Sequence, residues 1–183
     1  MNPSPTLPPS LTFIERDWLS ANHLLGRSDT ANVLVDSGYC SRRDMTLQLV
    51  ARALGTAPLH RVVNTHTHSD HVGGNAALKA RYGCRIAIPV QAREAVARWQ
   101  EDKLHYSTLG QTCDRFAADE YFDRGDSLDI GGMPWQALGS PRTPAFRRAA
   151  IRRCTAGSTS SASSAIPACS VRIFPSQPVS DSR

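Results

Sequence analysis

Asn64-Thr65-His66-Thr67-His68-Ser69-Asp70-His71-Val72-Gly73-Gly74 is the stretch on which the reading of this chain turns. It follows the short apolar run Val62-Val63 and gathers three of the chain's six histidines, with one carboxylate, into six consecutive positions. A polar turn leaving a buried strand can point the alternating imidazoles of His66 and His68 at one cation. The adjacent Asp70-His71 pair can then reach a second cation beside it. Two metals a few ångströms apart share a water, lower its pKa towards ~7 and hold it as hydroxide against a carbonyl or phosphoryl centre. A single loop histidine more often caps or solvates a strand end. Three with an interposed carboxylate make a costly cluster of titrating groups unless a metal binds them. The stretch therefore predicts metal-dependent hydrolysis.

Outward from this stretch, the pattern alternates strand and helix. Thr12 to Gly26 carries short apolar bursts that predict one or two strands, and Val33-Leu34-Val35 predicts a buried strand ended by the turn signal Asp36-Ser37-Gly38. Arg43 to Leu54 spaces Met45, Leu49 and Ala53 four apart, which predicts a helix stopped by Gly55. After the histidine stretch, Asn75 is positioned to cap a helix ending near Gly83, Ile86 to Ile88 reads as a strand, and Val90 to Trp99 as a helix. Leu128 to Ile130 and Trp135 to Leu138 read as paired strands about Gly131-Gly132. Trp18, Trp99 and Trp135 are expected in the core or a pocket wall. His23 and His60 are expected at the surface or a strand edge, and His105 falls in a polar excursion with no assigned place.

At the histidine stretch the chain resembles the metallo-β-lactamase-fold superfamily of metal-dependent hydrolases, whose signature is His-x-His-x-Asp-His after a buried strand. Leu34-Val35-Asp36-Ser37-Gly38 is similar to that superfamily's earlier motif, and the likeness covers residues 12–140. The resemblance implies an α/β fold, an αββα sandwich with metals at one edge of its two sheets, here incomplete because the second half is missing. It implies that His66 and His68 serve the first metal, that Asp70 and His71 serve the second, and that Asp36 supports the ligands from behind. Asp70 would orient the nucleophile or receive its proton. Asp36 before Ser-Gly is equally a common turn former that needs no metal. Zn2+ is the expected ion, one or two per chain, with Fe or Mn as alternatives at such N/O sites. Similar proteins act on thioesters, lactones, β-lactams and phosphodiesters. The expected reaction is hydrolysis of a small ester, thioester, lactone or amide.

Composition narrows the setting. No run approaches the roughly 18 apolar residues of a membrane span, and the first residues lack a basic start and apolar core, which predicts a chain that is neither membrane-borne nor secreted. Five scattered cysteines form no metal clip or disulfide framework and fit a reducing cytoplasm. The net charge of +5 belongs to the carboxy-terminal end: residues 141–183 hold seven Arg, no Lys, one Asp and no Glu, a net +6 that leaves −1 for residues 1–140. With no fold signature of a nucleic-acid module, the expected partner is a small-molecule substrate, not nucleic acid. Oligomeric state is not legible.

The expected organisation is a lead-in at 1–11, a partial domain at 12–140 and a low-complexity, disordered tail at 141–183. Superfamily members carry further ligands downstream, yet no histidine follows His105, and Arg142-Thr143 stands where similar proteins have Gly-His. A one-nucleotide slip of reading frame near Pro141 would account for the lost periodicity, the excess of arginine and the missing histidines together. The alternative to an active hydrolase is accordingly a truncated or frame-shifted, non-catalytic fragment of one.

Overall fold

The apolar doublets and triplets of the amino-terminal half become strands, most of them buried on both faces. The structure, a computed structural model, describes residues 7–17, 20–106, 110–139 and 149–153. Strands β1 (Leu11–Ile14), β2 (His23–Gly26), β3 (Val33–Val35), β4 (Arg61–Val63), β5 (Arg85–Pro89) and β6 (Glu120–Phe122) lie side by side in chain order as one sheet. β1, β2 and β3 pair antiparallel, and β3 through β6 pair parallel. A second, antiparallel sheet holds β7 (Ser127–Asp129), β8 (Pro134–Gly139) and β9 (Ala149–Arg153).

The period of two along each strand assigns its residues to two separate cores. Leu25, Leu34, Val62, Ile86 and Ile88 pack with Val50 and Leu54 of α1 (Arg43–Leu54), Leu78 of α3 (Asn75–Tyr82) and Val96 of α4 (Arg93–Arg98). Their neighbours Leu24, Val33, Val35, Val63 and Ala87 pack instead with Leu128, Ile130, Trp135 and Ala137 of the second sheet. Helices therefore cover one face of the large sheet and the small sheet covers the other, which supplies an α-β-β layering among the described residues. The layers touch closely: a Cβ at Gly26 would stand 2.5 Å from the backbone nitrogen of Gly131. No helix among the described residues is long and apolar enough to cross a membrane.

Several details differ from the sequence reading. Asn75 does not cap α3; Gly74 holds the cap position and the Asn75 side chain is buried in hydrogen bonds elsewhere. Val90 to Trp99 is a 3-10 turn followed by a short helix, closed by Trp99 in the left-handed region. The tail expected to lack regular structure contains β9, because the open edge of β8 supplies backbone partners that require no side-chain periodicity. The rest of 141–183 and Trp18 lie outside the described residues. Trp135 is buried between the sheets, and Trp99 packs on Tyr106 and Phe116.

His23 is likewise not at the surface: it is fully buried, and Arg16 Nη1 donates to its Nε2 at 2.7 Å and to Thr46 Oγ1 at 2.6 Å. Burial, with the charges of Arg16 and His71, pulls His23 from the ordinary 6.5 to about 3. The unfolded chain takes up a proton at this residue before the folded one does. His23 thus contributes full stability above about pH 6.5, and the contribution is lost as pH falls from there towards 3. Chemical-denaturation midpoints measured across that window are expected to fall more steeply for the unmodified chain than for His23→Gln. Parallel curves would contradict this.

Candidate metal centre

Two parallel neighbours define the site. Val35 of β3 pairs with Val63 of β4, so Asp36 and Asn64 leave adjacent strands at their carboxyl ends, where α/β sheets commonly place ligands. Asp36 has φ +59°, a left-handed conformation that Asp tolerates better than most residues. From this position its carboxylate is wholly buried. It accepts hydrogen bonds from Thr65 N at 2.8 Å, Thr65 Oγ1 at 2.9 Å and His71 Nδ1 at 2.8 Å.

Thr65 to His68 leave β4 without regular structure, and the chain then winds into α2 (Ser69–Val72), a single turn that swings Asp70 and His71 back towards His66. The turn is held from below. The His71 carbonyl accepts from Ser37 N at 2.7 Å and Asn64 Nδ2 at 2.9 Å, while Asn75 Nδ2 donates to Asn64 Oδ1 at 2.8 Å and Ser37 Oγ donates to Asn75 Oδ1 at 2.7 Å. Ser37, Asn64 and Asn75 are all fully buried. Gly73 and Gly74 make the close approach possible, since a Cβ would stand 2.1 Å from Cys40 N in the first case and 2.5 Å from the Ser37 carbonyl in the second.

The result is a convergent set of donors. The ligand atoms of His66, Asp70 and His71 lie within 4.8 Å of one another. His71 Nε2 is 3.3 Å from Asp70 Oδ2, and the His66 and His71 ring centroids are 3.8 Å apart. His68 stands outside that trio, with its ring 4.7 Å from that of His66. Burial works to lower His71, but the charges and hydrogen bonds of Asp36 and Asp70 outweigh it and raise it to about 10. Burial also works to raise Asp70, and the hydrogen bond and charge of His71 prevail, holding its carboxyl below the ordinary range. Two carboxylates drawing positive charge onto one imidazole provide the electrostatics that suit a divalent cation. In the neutral ring, with Nδ1–H donating to Asp36, the lone pair of His71 lies on Nε2, on the Asp70 side. Nitrogen and carboxylate donors together fit a divalent metal ion.

The buried Ser37-Asn64-Asn75 network has no counterpart in the motif of the histidine stretch. Its signal was present, because a buried turn leaves backbone carbonyls that need donors, and two asparagines flank the histidine stretch. His105, in the polar excursion, lies with its ring 6.5 Å from that of His68. His60 is exposed just before β4, where its Nδ1 accepts from Asn32 N at 2.9 Å.

Residues 16–142 match the metallo-beta-lactamase superfamily model, and the chain belongs to that superfamily. It is similar to hydroxyacylglutathione hydrolases from Rhodopseudomonas palustris, with 32% identity over 44% of this chain and 24% of the relative. A second such relative, from Nitrobacter hamburgensis, shows 32% identity over 42% of this chain and 41% of its own length. Among solved structures, a Cronobacter sakazakii metallo-beta-lactamase superposes with TM-score 0.64 at 20% identity, covering 81% of this chain and 62% of that one. A subclass B3 metallo-beta-lactamase of Bradyrhizobium japonicum superposes with TM-score 0.61 at 16% identity, covering 79% and 58%. These structures share the fold. The chain spans between a quarter and two fifths of the length of those two curated relatives.

Asp36→Asn separates the two readings of Asp36, because Asn accepts the same backbone conformation and turn but lacks the charge behind His71. Zinc affinity, measured by competition with a chromogenic chelator, is expected to fall roughly 10- to 100-fold. Affinity within twofold of the unmodified chain would leave Asp36 as a turn former alone.

Proposed function

We propose that the site binds one or two divalent ions, zinc first and iron or manganese as alternatives, through His66, His68, Asp70 and His71, and that it serves hydrolysis of a small ester, thioester, lactone or amide. The observation that carries this reading is the convergence of His66, Asp70 and His71 within 4.8 Å, with the buried Asp36 carboxylate 2.8 Å behind His71. A bound cation would supply an acidified water and polarise the carbonyl under attack. Asp36 orients His71, and the Ser37-Asn64-Asn75 network keeps the turn that carries Asp70 in place. Asp70, half-buried with its carboxyl held ionised, orients the attacking water or receives its proton. The name hydroxyacylglutathione hydrolase, carried by both curated relatives, supports an acyl-glutathione thioester as the first substrate to try.

We take residues 12–140, extended by β9, as the unit that carries this chemistry. A small-molecule substrate and a reducing, cytoplasmic setting complete the reading, supported by the thiols of Cys40, Cys84 and Cys113, which form no disulfide among the described residues. One observation favours a second reading, a non-catalytic fragment: no histidine follows His105 to complete the ligand set.

Replacing His66 and His68 together by Ala is expected to abolish zinc retention in equilibrium dialysis, and Asp70→Asn to reduce hydrolysis of an acyl-glutathione thioester at least 100-fold. Unchanged retention in the double variant would sink the ligand assignment. Zinc bound normally with no turnover of ester, thioester or lactam would favour the fragment.

A further inference from the structure

Arg16 carries a charge that the fold buries without a counter-ion. The residue is 9% exposed. The carboxylate beside it in the chain, Asp17, pairs instead with Arg42 at 3.6 Å, and no ion pair reaches Arg16 among the described residues. A charged group taken out of water is stable only when its charge and its hydrogen bonds are both met. Here one part of the group is met. Nη1 donates to His23 Nε2 at 2.7 Å and to Thr46 Oγ1 at 2.6 Å, which uses both of its protons.

The other two nitrogens, Nε and Nη2, are shut off from solvent and have no partner among the described residues. They flank one edge of the planar group, where their N–H bonds run side by side, the arrangement that receives two oxygens of one carboxylate or phosphate. His23 repeats the deficit. Its Nε2 accepts from Arg16, so the proton of the neutral ring is on Nδ1, and Nδ1 is also buried without a partner. Every unmet group in this pair is thus a donor. A buried water would accept from two of them but bring two protons of its own, and it would leave the charge unanswered. An anion meets both needs. We infer that the Nε–Nη2 edge of Arg16 is a binding site for one small planar oxyanion, of the class of formate, bicarbonate or nitrate, held bidentately.

Both donors are out of contact with solvent, so the ligand is one that the interior encloses, and bulkier phosphates and peptide carboxylates do not fit that description. Arg16 follows β1, His23 opens β2 and Thr46 belongs to α1, at the end of the sheet where β3 stops before Asp36. Thr46 Oγ1 donates to the Ser37 carbonyl at 3.2 Å, Ser37 N to the His71 carbonyl at 2.7 Å, and Ala21 N to the Asp70 carbonyl at 2.9 Å. The anion site therefore backs onto the turn that carries Asp70 and His71, yet it uses none of the candidate metal ligands. It stands independently of the metal-binding reading.

Only the folded chain assembles this edge, so a bound anion stabilises it in step with the logarithm of the anion concentration. The test follows urea-denaturation midpoints of the full chain as formate replaces chloride at constant ionic strength. The midpoint is expected to rise with formate in the unmodified chain and equally in the variant with His66 and His68 both replaced by Ala. It should stay flat in Arg16→Lys, which keeps the charge and loses the fork. No rise in the unmodified chain, or an equal rise in Arg16→Lys that marks a general salt effect, would overturn the inference. A rise that vanishes in the double histidine variant would place formate at the metal centre and overturn it as well. Where Arg16→Lys does not fold, equilibrium dialysis of radiolabelled formate against the unmodified chain decides. One equivalent bound and displaced by nitrate is expected, and none bound would overturn the assignment.

Discussion

The buried carboxylate of Asp36 is the group around which the site is organised. A charge removed from water costs several kcal/mol unless it is fully bonded. Asp36 has no exposed surface, and its carboxylate is bonded in full: Thr65 donates to it twice and His71 once. Those bonds constrain more than Asp36. They fix where the chain goes as it leaves β4, which nitrogen of His71 remains available, and how much positive charge the pocket demands. A proton on His71 meets that demand in one way and a divalent cation meets it in another, so the rise of His71 to about 10 and the fitness of the site for metal share a cause.

That contact requires the sheet beneath it. Asp36 and Thr65 meet because β3 and β4 are parallel neighbours ending at the same level, and β3 and β4 are locked because each buries one face under the helices and the other against the second sheet. The turn carrying Asp70 and His71 can descend onto this platform only where Gly73 and Gly74 admit the backbone of residues 37–40. Function at the strand ends is thus coupled to packing on both sides of the sheet. A cavity opened under Val62 or Val63 would be felt at the ligands as well as in overall stability.

Much of this was legible in the sequence, for identifiable reasons. Runs such as Val33-Leu34-Val35 and Arg61-Val62-Val63 are too apolar to be solvated and too short to be buried helices, so they could be read as strands. Arg43 to Leu54 had both periodicity and a glycine stop, and it is a helix over that span. The spacing of the histidine stretch pointed to convergent donors, and His66, Asp70 and His71 do converge. Less legible were residues whose role depends on a distant partner: His23 reads as an edge histidine until Arg16 is seen 2.7 Å away, and Asn75 reads as a helix cap until Ser37 and Asn64 are found beneath it. His105 gave no local signal at all, because its place is set by Tyr106 reaching Thr67 across 39 residues.

The central claim is that Asp36 and the ends of β3 and β4 preorganise His66, Asp70 and His71 as ligands. Anomalous scattering at the zinc edge from a crystal of the full chain grown with zinc tests this most directly. The account predicts an anomalous peak about 2.0 to 2.2 Å from His71 Nε2 and an Asp70 carboxylate oxygen, with Asp36 still bonded to His71 Nδ1. A peak absent from this pocket at saturating zinc, or zinc bound with His71 turned away from Asp36, would contradict it.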